Sequence, residues 1–327
     1  MRPRISSPLH GRTLVAYILL CAIWGSTWLS IKVGLEYLPP LRFAALRMAL
    51  ACLVLAPFAF RHRDRRPSAR EAAFIALAGF LQIGVFYGLI FVAQQWIESG
   101  LAALLFATFP ICAGVFAHFL LPDEPLTPRT IAAAGLGLSG VALIEGAALW
   151  RALQADFGTL LRGGGLVFVA AIVAAFASVI VKKHLGHVDP IVNVWGETLV
   201  GAAFLLPLAA LVERDATARW TPPAIGSLAY LAIFGTAITF GGLFWLIKRV
   251  PISVVSTIPL VDTLIAVLLG AAFLGERLPA RALAGGALIL LGVFLATRGG
   301  SRTEAAAGAL TPTSIRVSRN GAARGPR

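Results

Sequence analysis

The stretch WGSTWLSIKVGLEYLPPLRFAALR, residues 24–47, joins two apolar runs through the proline pair Pro39-Pro40. Because a residue before proline avoids the α conformation, the pair predicts the end of one helix and the start of another. Each run nevertheless keeps a cation, with Lys32 near the end of the first and Arg47 inside the second. The rest of the chain must explain why these charges are retained.

Composition assigns the chain to the membrane proteins. Its 327 residues are 58% hydrophobic and 13% charged, whereas a soluble domain has about 25% charged residues. The net charge of +13 comes from basic residues in short gaps between apolar runs and in the tails. This pattern is typical of contacts with membrane lipid, and no nucleic-acid partner is expected. The three cysteines lie within apolar runs without metal-ligand spacing, so no metal site is predicted.

Ten segments are long enough to cross a bilayer, which requires about 20 apolar residues per helix. The predicted spans are residues 14–36, 41–60, 72–95, 99–121, 129–146, 163–183, 190–212, 224–247, 251–274 and 280–297. An even number of spans places both termini on one face, and that face carries 19 Lys and Arg residues against eight on the other. Both termini are therefore predicted to be cytoplasmic.

The chain contains an internal repeat. Offsets of 150 or 152 residues align Lys32 with Lys182, Pro40 with Pro190, Glu124 with Glu276 and Arg129 with Arg281. Each copy has five spans, and because five is odd, the second copy enters the membrane from the opposite side. Inverted repeats of this kind are typical of alternating access around a site near the bilayer midplane.

The domain organisation follows from this repeat. We predict a cytoplasmic segment (1–13), a first five-helix repeat (14–146), an extracytoplasmic linker (147–162), a second repeat (163–297) and a disordered basic tail (298–327).

Three charged residues fall inside the spans and are candidates for a cavity or for ion coupling. Glu197 and Asp262 are the two acids at depth, and Arg47 is the clearest buried base. A charge at a helix centre costs about 2.5 to 3.5 kcal/mol on insertion scales, so it usually faces a cavity or a partner. The 150-residue offset makes Glu197 the mate of Arg47, and Asn193 lies one turn from Glu197 on the same face.

Each of these charges also has a purely structural interpretation. Arg47 could extend to the membrane interface, and Asp262 could hydrogen-bond neighbouring hydroxyl groups as part of helix packing. Asp262 is the best candidate for a group that takes up and releases a proton. Pro259, one turn earlier, predicts a break or kink in its helix.

Aromatic side chains at depth complete the candidate cavity. Trp24 and Thr27 lie on one helical face, and Tyr87 and Phe240 lie deep in later spans. Aromatic stripes in membranes also serve packing, so both roles remain open. The motif GLGLSG, residues 135–140, has the form of a dinucleotide-binding loop but lies inside a span without a preceding strand. Close helix packing explains it better, and no nucleotide is expected.

The sequence resembles the drug/metabolite transporter superfamily, specifically its EamA-type ten-helix carriers, over about residues 14–297. The resemblance rests on Trp24-Gly25, Lys32, Pro40, Arg47, and Gly275-Glu276 before the glycine-rich ALAGGALILLGV. The first-half counterpart reads LPDEPLTP and lacks the Gly-Glu pair, and Thr263 stands where the family often has proline.

The resemblance implies an all-α membrane carrier that exports a small organic metabolite or drug across the inner membrane, with no cofactor. A coupling proton carried by Asp262 or Glu197 is a hypothesis from their depth. The alternative function is a membrane enzyme or flippase that acts on lipid head groups. That chemistry normally needs clustered acid, base or metal groups, which the sequence does not show, so no catalytic residue is predicted.

Overall fold

The computed structural model describes residues 9–61, 67–97, 99–274 and 280–309. The start of the cytoplasmic segment, most of the arginine cluster at 61–70, the Gly275-Glu276 pair and the last 18 residues of the basic tail lie outside these ranges.

The described chain is all-helical. The helices are α1 (Arg12–Leu35), α2 (Pro40–Arg61), α3 (Ala69–Ala78), α4 (Phe86–Ala93), α5 (Ser99–Phe106), α6 (Phe109–Leu120), α7 (Pro128–Ala155), α8 (Phe157–Leu185), α9 (Pro190–Val212), α10 (Pro222–Ala232), α11 (Thr239–Ile247), α12 (Ile252–Val255), α13 (Ile258–Leu274) and α14 (Ala280–Ala309). Two π-helical segments, Gly79–Val85 and Ile233–Ile238, join α3 to α4 and α10 to α11.

Eight helical segments are long and apolar enough to cross a membrane, and two shorter apolar helices, Ile252–Ile265 and Leu283–Thr297, account for the last two predicted spans. The chain is therefore a multi-pass membrane protein, and the predicted ten-helix all-α fold is confirmed.

Prolines and polar caps start many of these helices. Pro128, Pro190 and Pro222 occupy the first turn, where the missing N–H costs no intrahelical hydrogen bond. Ahead of them, the side chains of Thr127, Asp189 and Thr221 accept hydrogen bonds from backbone N–H groups of the first turn.

Contacts between the two repeats occur in matched pairs. Helix α1 packs on α13, and its mate α8 packs on α6, the mate of α13. Helix α2 packs on its own mate α9, and α7 packs on α14. Each repeat thus contributes its first helix to the other repeat's fourth span, which places the interface between repeats at the centre of the molecule.

The fourth span of each repeat is broken at the same position. Helices α5 and α6 are separated by the turn Ala107-Thr108, with Pro110 in the first turn of α6. Helices α12 and α13 are separated by Ser256-Thr257, and Pro259 follows in α13. The break predicted near Pro259 is therefore present and has a counterpart in the first repeat.

Helix α7 packs against α14 through small residues. A Cβ built on Gly140 would lie 2.5 Å from the carbonyl oxygen of Gly285, and a Cβ on Gly285 would lie 2.5 Å from that of Gly140. Only glycine at both positions allows this approach. The GLGLSG motif therefore serves helix packing, as predicted.

Helices extend into both segments predicted to connect or flank the repeats. Residues 147–162 contain the end of α7 and the start of α8, with Asp156 as the cap between them. Hydrogen bonds from Thr159 and from the backbone of Gly158 lower the pKa of Asp156. Helix α14 continues to Ala309 through an alanine-rich sequence that favours helix. The part of the tail that the structure describes is thus helical.

Candidate functional site

A cavity of about 100 Å³ lies at the interface between the repeats. Six of the eight candidate residues line it: Trp24, Thr27, Arg47, Tyr87, Phe240 and Asp262. Trp28 and Pro259 also line it, together with residues that the sequence did not single out: Gln82, Phe86, Phe106, Phe109 and Ser178. The cavity therefore brings an arginine and an aspartate together with an aromatic wall.

Arg47 is held by the other repeat. Its side chain is 1% exposed; Nε donates to Thr236 Oγ1 at 2.9 Å and Nη2 donates to the Gly235 carbonyl at 2.9 Å. Nη2 also lies 3.3 Å from the Tyr87 hydroxyl, and the guanidinium is 4.5 Å from the centre of that ring. Nη1 has no hydrogen-bond partner within the described ranges. Arg47 thus keeps one donor free in the wall of the cavity.

The π-helical segment Ile233–Ile238 supplies the acceptors for this arginine. A π turn interrupts the α-helical ladder, and such segments occur frequently at functional sites. The Gly235 carbonyl accepts from Arg47 and, at 3.3 Å, from the Trp24 indole N–H. Thr236 Oγ1 accepts from Arg47 and donates to the Leu231 carbonyl. Both repeats therefore meet at one bulge, which the sequence pattern did not predict.

Asp262 lines the same cavity from α13. It is 4% exposed and lies close to the Trp28 indole, and the Thr263 hydroxyl is 3.5 Å from its Oδ1. Across the part of the chain that the structure describes, no Lys, Arg or His forms an ion pair with it. A buried carboxylate without a cation is costly unless it is protonated.

Glu197 and Asn193 do not line this cavity. Glu197 is fully buried, Oε1 accepts from Asn193 Nδ2 at 2.9 Å, and Oε2 has no partner among the described residues. Its backbone packs against Gly79 at the start of the first π segment, where a Cβ would lie 2.7 Å from the Glu197 carbonyl oxygen. Each of the two mates thus lies against the other repeat's π segment, Glu197 through its backbone and Arg47 through its side chain.

Arg47 and its symmetry mate Glu197 do not form an ion pair in the described chain. Each residue lies seven positions beyond the proline that opens its helix, a depth of about 10 Å at 1.5 Å per residue. The helices start from opposite faces of a membrane core about 30 Å thick, so the two side chains lie at different depths.

Aromatic side chains line the cavity and restrict its volume. Trp24 and Tyr87 pack around Phe240, with ring centroids 5.7 Å and 6.3 Å from it. Trp28 lies 6.3 Å from Phe106. Gln82 also lines the cavity, and its Oε1 has no partner in the described structure. A lone glutamine in an apolar span was a signal that could have identified it.

A second cavity, of about 600 Å³, opens at the face predicted to be cytoplasmic. We call it the vestibule; its wall includes Asp123, Glu124, Lys248, Arg249 and the broken turn Ser256-Thr257. Partial burial lowers the pKa of Lys248, and the nearby Asp189 carboxylate acts in the opposite direction.

Glu124 connects the two repeats beside the vestibule. Its Oε1 lies 2.7 Å from Lys182 Nζ, and its Oε2 accepts from the backbone N–H of Ile252 at 2.7 Å. Lys182 also donates to the Val250 carbonyl at 2.7 Å. These contacts hold the start of α12 against the end of α8.

A comparable acid joins the repeats at the opposite face. Glu213 accepts from the backbone N–H groups of Leu41 and Arg42 at 2.7 Å and 2.8 Å, and so caps the start of α2. The Arg42 guanidinium donates back to the Glu213 carbonyl at 2.6 Å. Polar contacts between repeats thus lie beyond both ends of the central cavity.

Known proteins share this sequence and fold. The EamA-like transporter family matches residues 12–146 and 161–298. The "Uncharacterized transporter YoaV" of Bacillus subtilis is 30% identical over 88% of this chain and 97% of its own length. The "Probable terminal-alkyne amino-acid exporter" of Streptantibioticus cattleyicolor is 29% identical over 90% and 97%.

Two further comparisons agree. The "Uncharacterized inner membrane transporter YedA" of Escherichia coli K12 is 29% identical over 85% of this chain and 87% of its own. A chain in a solved crystal structure superposes with a TM-score of 0.71 over 89% of this chain and 98% of that chain, at 19% identity, and so shares the fold. By the extent of these matches, the chain belongs to the EamA-like transporter family and is a membrane transporter.

Proposed function

We propose that the protein is a secondary transporter that exports a small organic metabolite or drug across the inner membrane by alternating access, with both termini cytoplasmic. The observation that carries the proposal is the central cavity, which lies between two inverted repeats and contains a buried cation and a buried acid. Broken helices beside it are typical of transporters whose two repeats move about a shared site.

The cavity as described is in a closed state. Its volume of about 100 Å³ is below the roughly 300 to 1,000 Å³ of ligand sites. A solute larger than a few atoms can enter only if the aromatic wall or the broken spans move. Val255 and Ile258 line the central cavity, and Ser256 and Thr257, between them, line the vestibule. Movement of α12 and α13 would therefore open the central cavity toward the vestibule.

The charges in the cavity suggest which solutes to test first. Arg47 can bind a carboxylate through its free Nη1 donor, and Asp262 can accept from an ammonium group. Amino acids carry both groups, and one relative bears the name of an amino-acid exporter. We therefore place amino acids first in a screen that also contains nucleosides and cationic drugs.

Proton coupling is assigned to Asp262, which is buried, faces the cavity and has no cationic partner among the described groups. A proton bound from outside would neutralise it, and its release would complete the export cycle. Glu197 is retained as a second candidate, although it lies outside the cavity.

The test is transport by the purified protein in proteoliposomes, with and without a pH gradient. Solute flux driven by the gradient in the wild type, and its loss in Asp262→Asn, is the expected result. If Asp262→Asn and Glu197→Gln both leave transport and its pH dependence unchanged, proton coupling through these acids is rejected. Movement or modification of labelled lipids, without solute flux, would favour action on lipid head groups instead.

A further inference from the structure

A thin protein wall separates the central cavity from the vestibule. It is formed by the break between α12 and α13, where Thr257 faces the vestibule and the next residue, Ile258, faces the central cavity. Thr257 is 2% exposed and its hydroxyl lies 2.7 Å from the Tyr17 hydroxyl of α1. A buried pair of hydroxyl groups therefore lies in the wall between the two cavities.

One face of α1 leads from this pair to Asp262. Tyr17, Cys21, Gly25 and Trp28 are spaced by four, four and three residues, which places them on a single helical face. A Cβ on Gly25 would lie 2.7 Å from the Asp262 carbonyl oxygen, so α1 and α13 are in direct contact there. Trp28, one turn further, lies close to the Asp262 side chain and lines the central cavity with it.

Cys21 lies between the carboxyl and the hydroxyl pair. It is fully buried and lies close to both the Tyr17 hydroxyl and Asp262. A thiol can both donate and accept a weak hydrogen bond. Polar side chains thus recur along this face of α1 from Trp28 at the central cavity to Tyr17 at the vestibule wall, over eleven residues or about 16 Å.

We propose that this face of α1 is the route by which the proton bound to Asp262 leaves for the cytoplasm, with Tyr17 and Thr257 as the relaying groups. The inference rests on the proton coupling proposed above and adds to it the path and the residues that form it.

The relay conserves protons. Asp262 gives its proton to the Cys21 sulfur as the thiol gives its own proton to the Tyr17 oxygen, and Tyr17 passes its own proton to Thr257 Oγ1. Thr257, which donates to the Val254 carbonyl in this structure, releases its own proton to water in the vestibule. One proton crosses the wall, Asp262 becomes a carboxylate, and rotation of the hydroxyl groups restores the starting arrangement.

Few other titratable groups face Asp262. Helix α5, which also packs on α13, has no titratable side chain. Helix α7 contacts α13 where Gly137 meets Leu260, and its acid Glu145 lies two turns further along. On α14, Arg281 is exposed at the start of the helix. Elsewhere in the cavity lining, Arg47 is hydrogen-bonded to Tyr87 and to Thr236. Tyr17 and Cys21 of α1 are therefore the titratable groups that lead from Asp262 to the vestibule.

The test follows the proton without a transported solute. A pH jump is applied to membrane vesicles containing the protein on a solid-supported electrode, and the transient charge movement is recorded for everted and right-side-out vesicles. Asp262→Asn vesicles give the background. Tyr17→Phe and Thr257→Val should slow the transient in everted vesicles by about 100-fold, the low end of what a positioned proton-transfer group contributes. In right-side-out vesicles the transient should not change.

Controls separate the route from a structural effect. Tyr230→Phe removes another hydroxyl that bonds to α1, at Ser26, and should leave the transient unchanged, whereas Thr257→Ser should restore it. Transients of wild-type speed in Tyr17→Phe and Thr257→Val would overturn the route while leaving coupling at Asp262 intact. Equal currents from wild type and Asp262→Asn would instead reject the coupling itself, and the route with it.

Discussion

Arg47 Nη2 donates to the Gly235 carbonyl at 2.9 Å, so the second helix of the first repeat is bonded directly to the π-helical segment of the second. The same guanidinium bonds Thr236 and leaves Nη1 without a partner in the described chain. One side chain therefore joins the repeats, lines the cavity and carries an unpartnered donor. Substrate binding at Nη1 would then act directly on the interface between the repeats.

Arg47→Lys tests this dual role. Lysine keeps the charge but cannot reproduce the planar set of donors, and hydrogen bonds to charged groups are worth about 1.5 to 3 kcal/mol. For a carboxylate solute, we expect the half-saturating concentration in proteoliposomes to rise roughly 10- to 100-fold, from that energy range. Tyr87→Phe, which removes only the 3.3 Å contact, should change it far less. An unchanged value in Arg47→Lys would exclude Arg47 as the carboxylate site.

Two threonines in or next to the second π-helical segment allow a matched comparison of stability. Thr236 and Thr239 are both fully buried, but Thr236 Oγ1 is bonded to Arg47 and Leu231, whereas Thr239 Oγ1 has no partner among the described groups. Thr236→Val leaves Arg47 Nε without an acceptor and should destabilise the protein by about 1 to 3 kcal/mol. Thr239→Val should be neutral or stabilising.

Thermal unfolding of both variants in detergent checks this prediction. Equal melting temperatures for Thr236→Val and the wild type would show that the Arg47 contact contributes nothing to stability.

A residue of the site could be predicted where its local sequence alone marks it, and not where its role depends on packing. The ten spans, the repeat and the buried charges Arg47 and Asp262 follow from local composition, because a charge in an apolar run is costly wherever it lies. Ser178 and Gln82 carry weaker signals of the same kind. The π segments depend on packing: Gly79 receives the backbone of α9 and Gly235 the side chain of Arg47, and neither contact is readable from periodicity.

The sequence offset between the repeats predicts symmetry but not distance. It correctly pairs the breaks before Pro110 and Pro259, since each half folds the same way. It says which residues are related by symmetry but not how far apart they lie. Arg47 and Glu197 are mates, yet the inverted axis places them at opposite depths, each beside the other repeat's π segment. The vestibule arises from the arrangement of α6, α7, α12 and α14, which no single span encodes.

The contact of α7 with α14 gives a second stability test. Gly285→Ala would place a methyl group against the Gly140 carbonyl, where 2.5 Å separates them before relaxation. Overpacking of this kind costs about 1 to 3 kcal/mol, so the melting temperature should fall. Gly135→Ala, on the same helix as Gly140 but with nothing within 4 Å, should be neutral or stabilising by up to about 1 kcal/mol. Equal effects of the two substitutions would contradict the packing assigned to the motif.

Glu124 tests whether the contacts beside the vestibule hold that face closed. Glu124→Gln removes the ion pair with Lys182 but keeps an acceptor for the Ile252 N–H. A partly exposed pair is worth about 0.2 to 1 kcal/mol, so the open population should rise by about fivefold at most. Cys21, fully buried beneath the vestibule, reports that opening through its rate of alkylation by a small maleimide.

The control is Asp123, which lies beside Glu124 but is exposed and forms no ion pair within the described ranges. Asp123→Asn should therefore leave the rate of alkylation unchanged. If Glu124→Gln alkylates no faster than Asp123→Asn, the ion pair does not keep the central cavity closed toward the vestibule, and the barrier must lie in the apolar packing of α12 against α6.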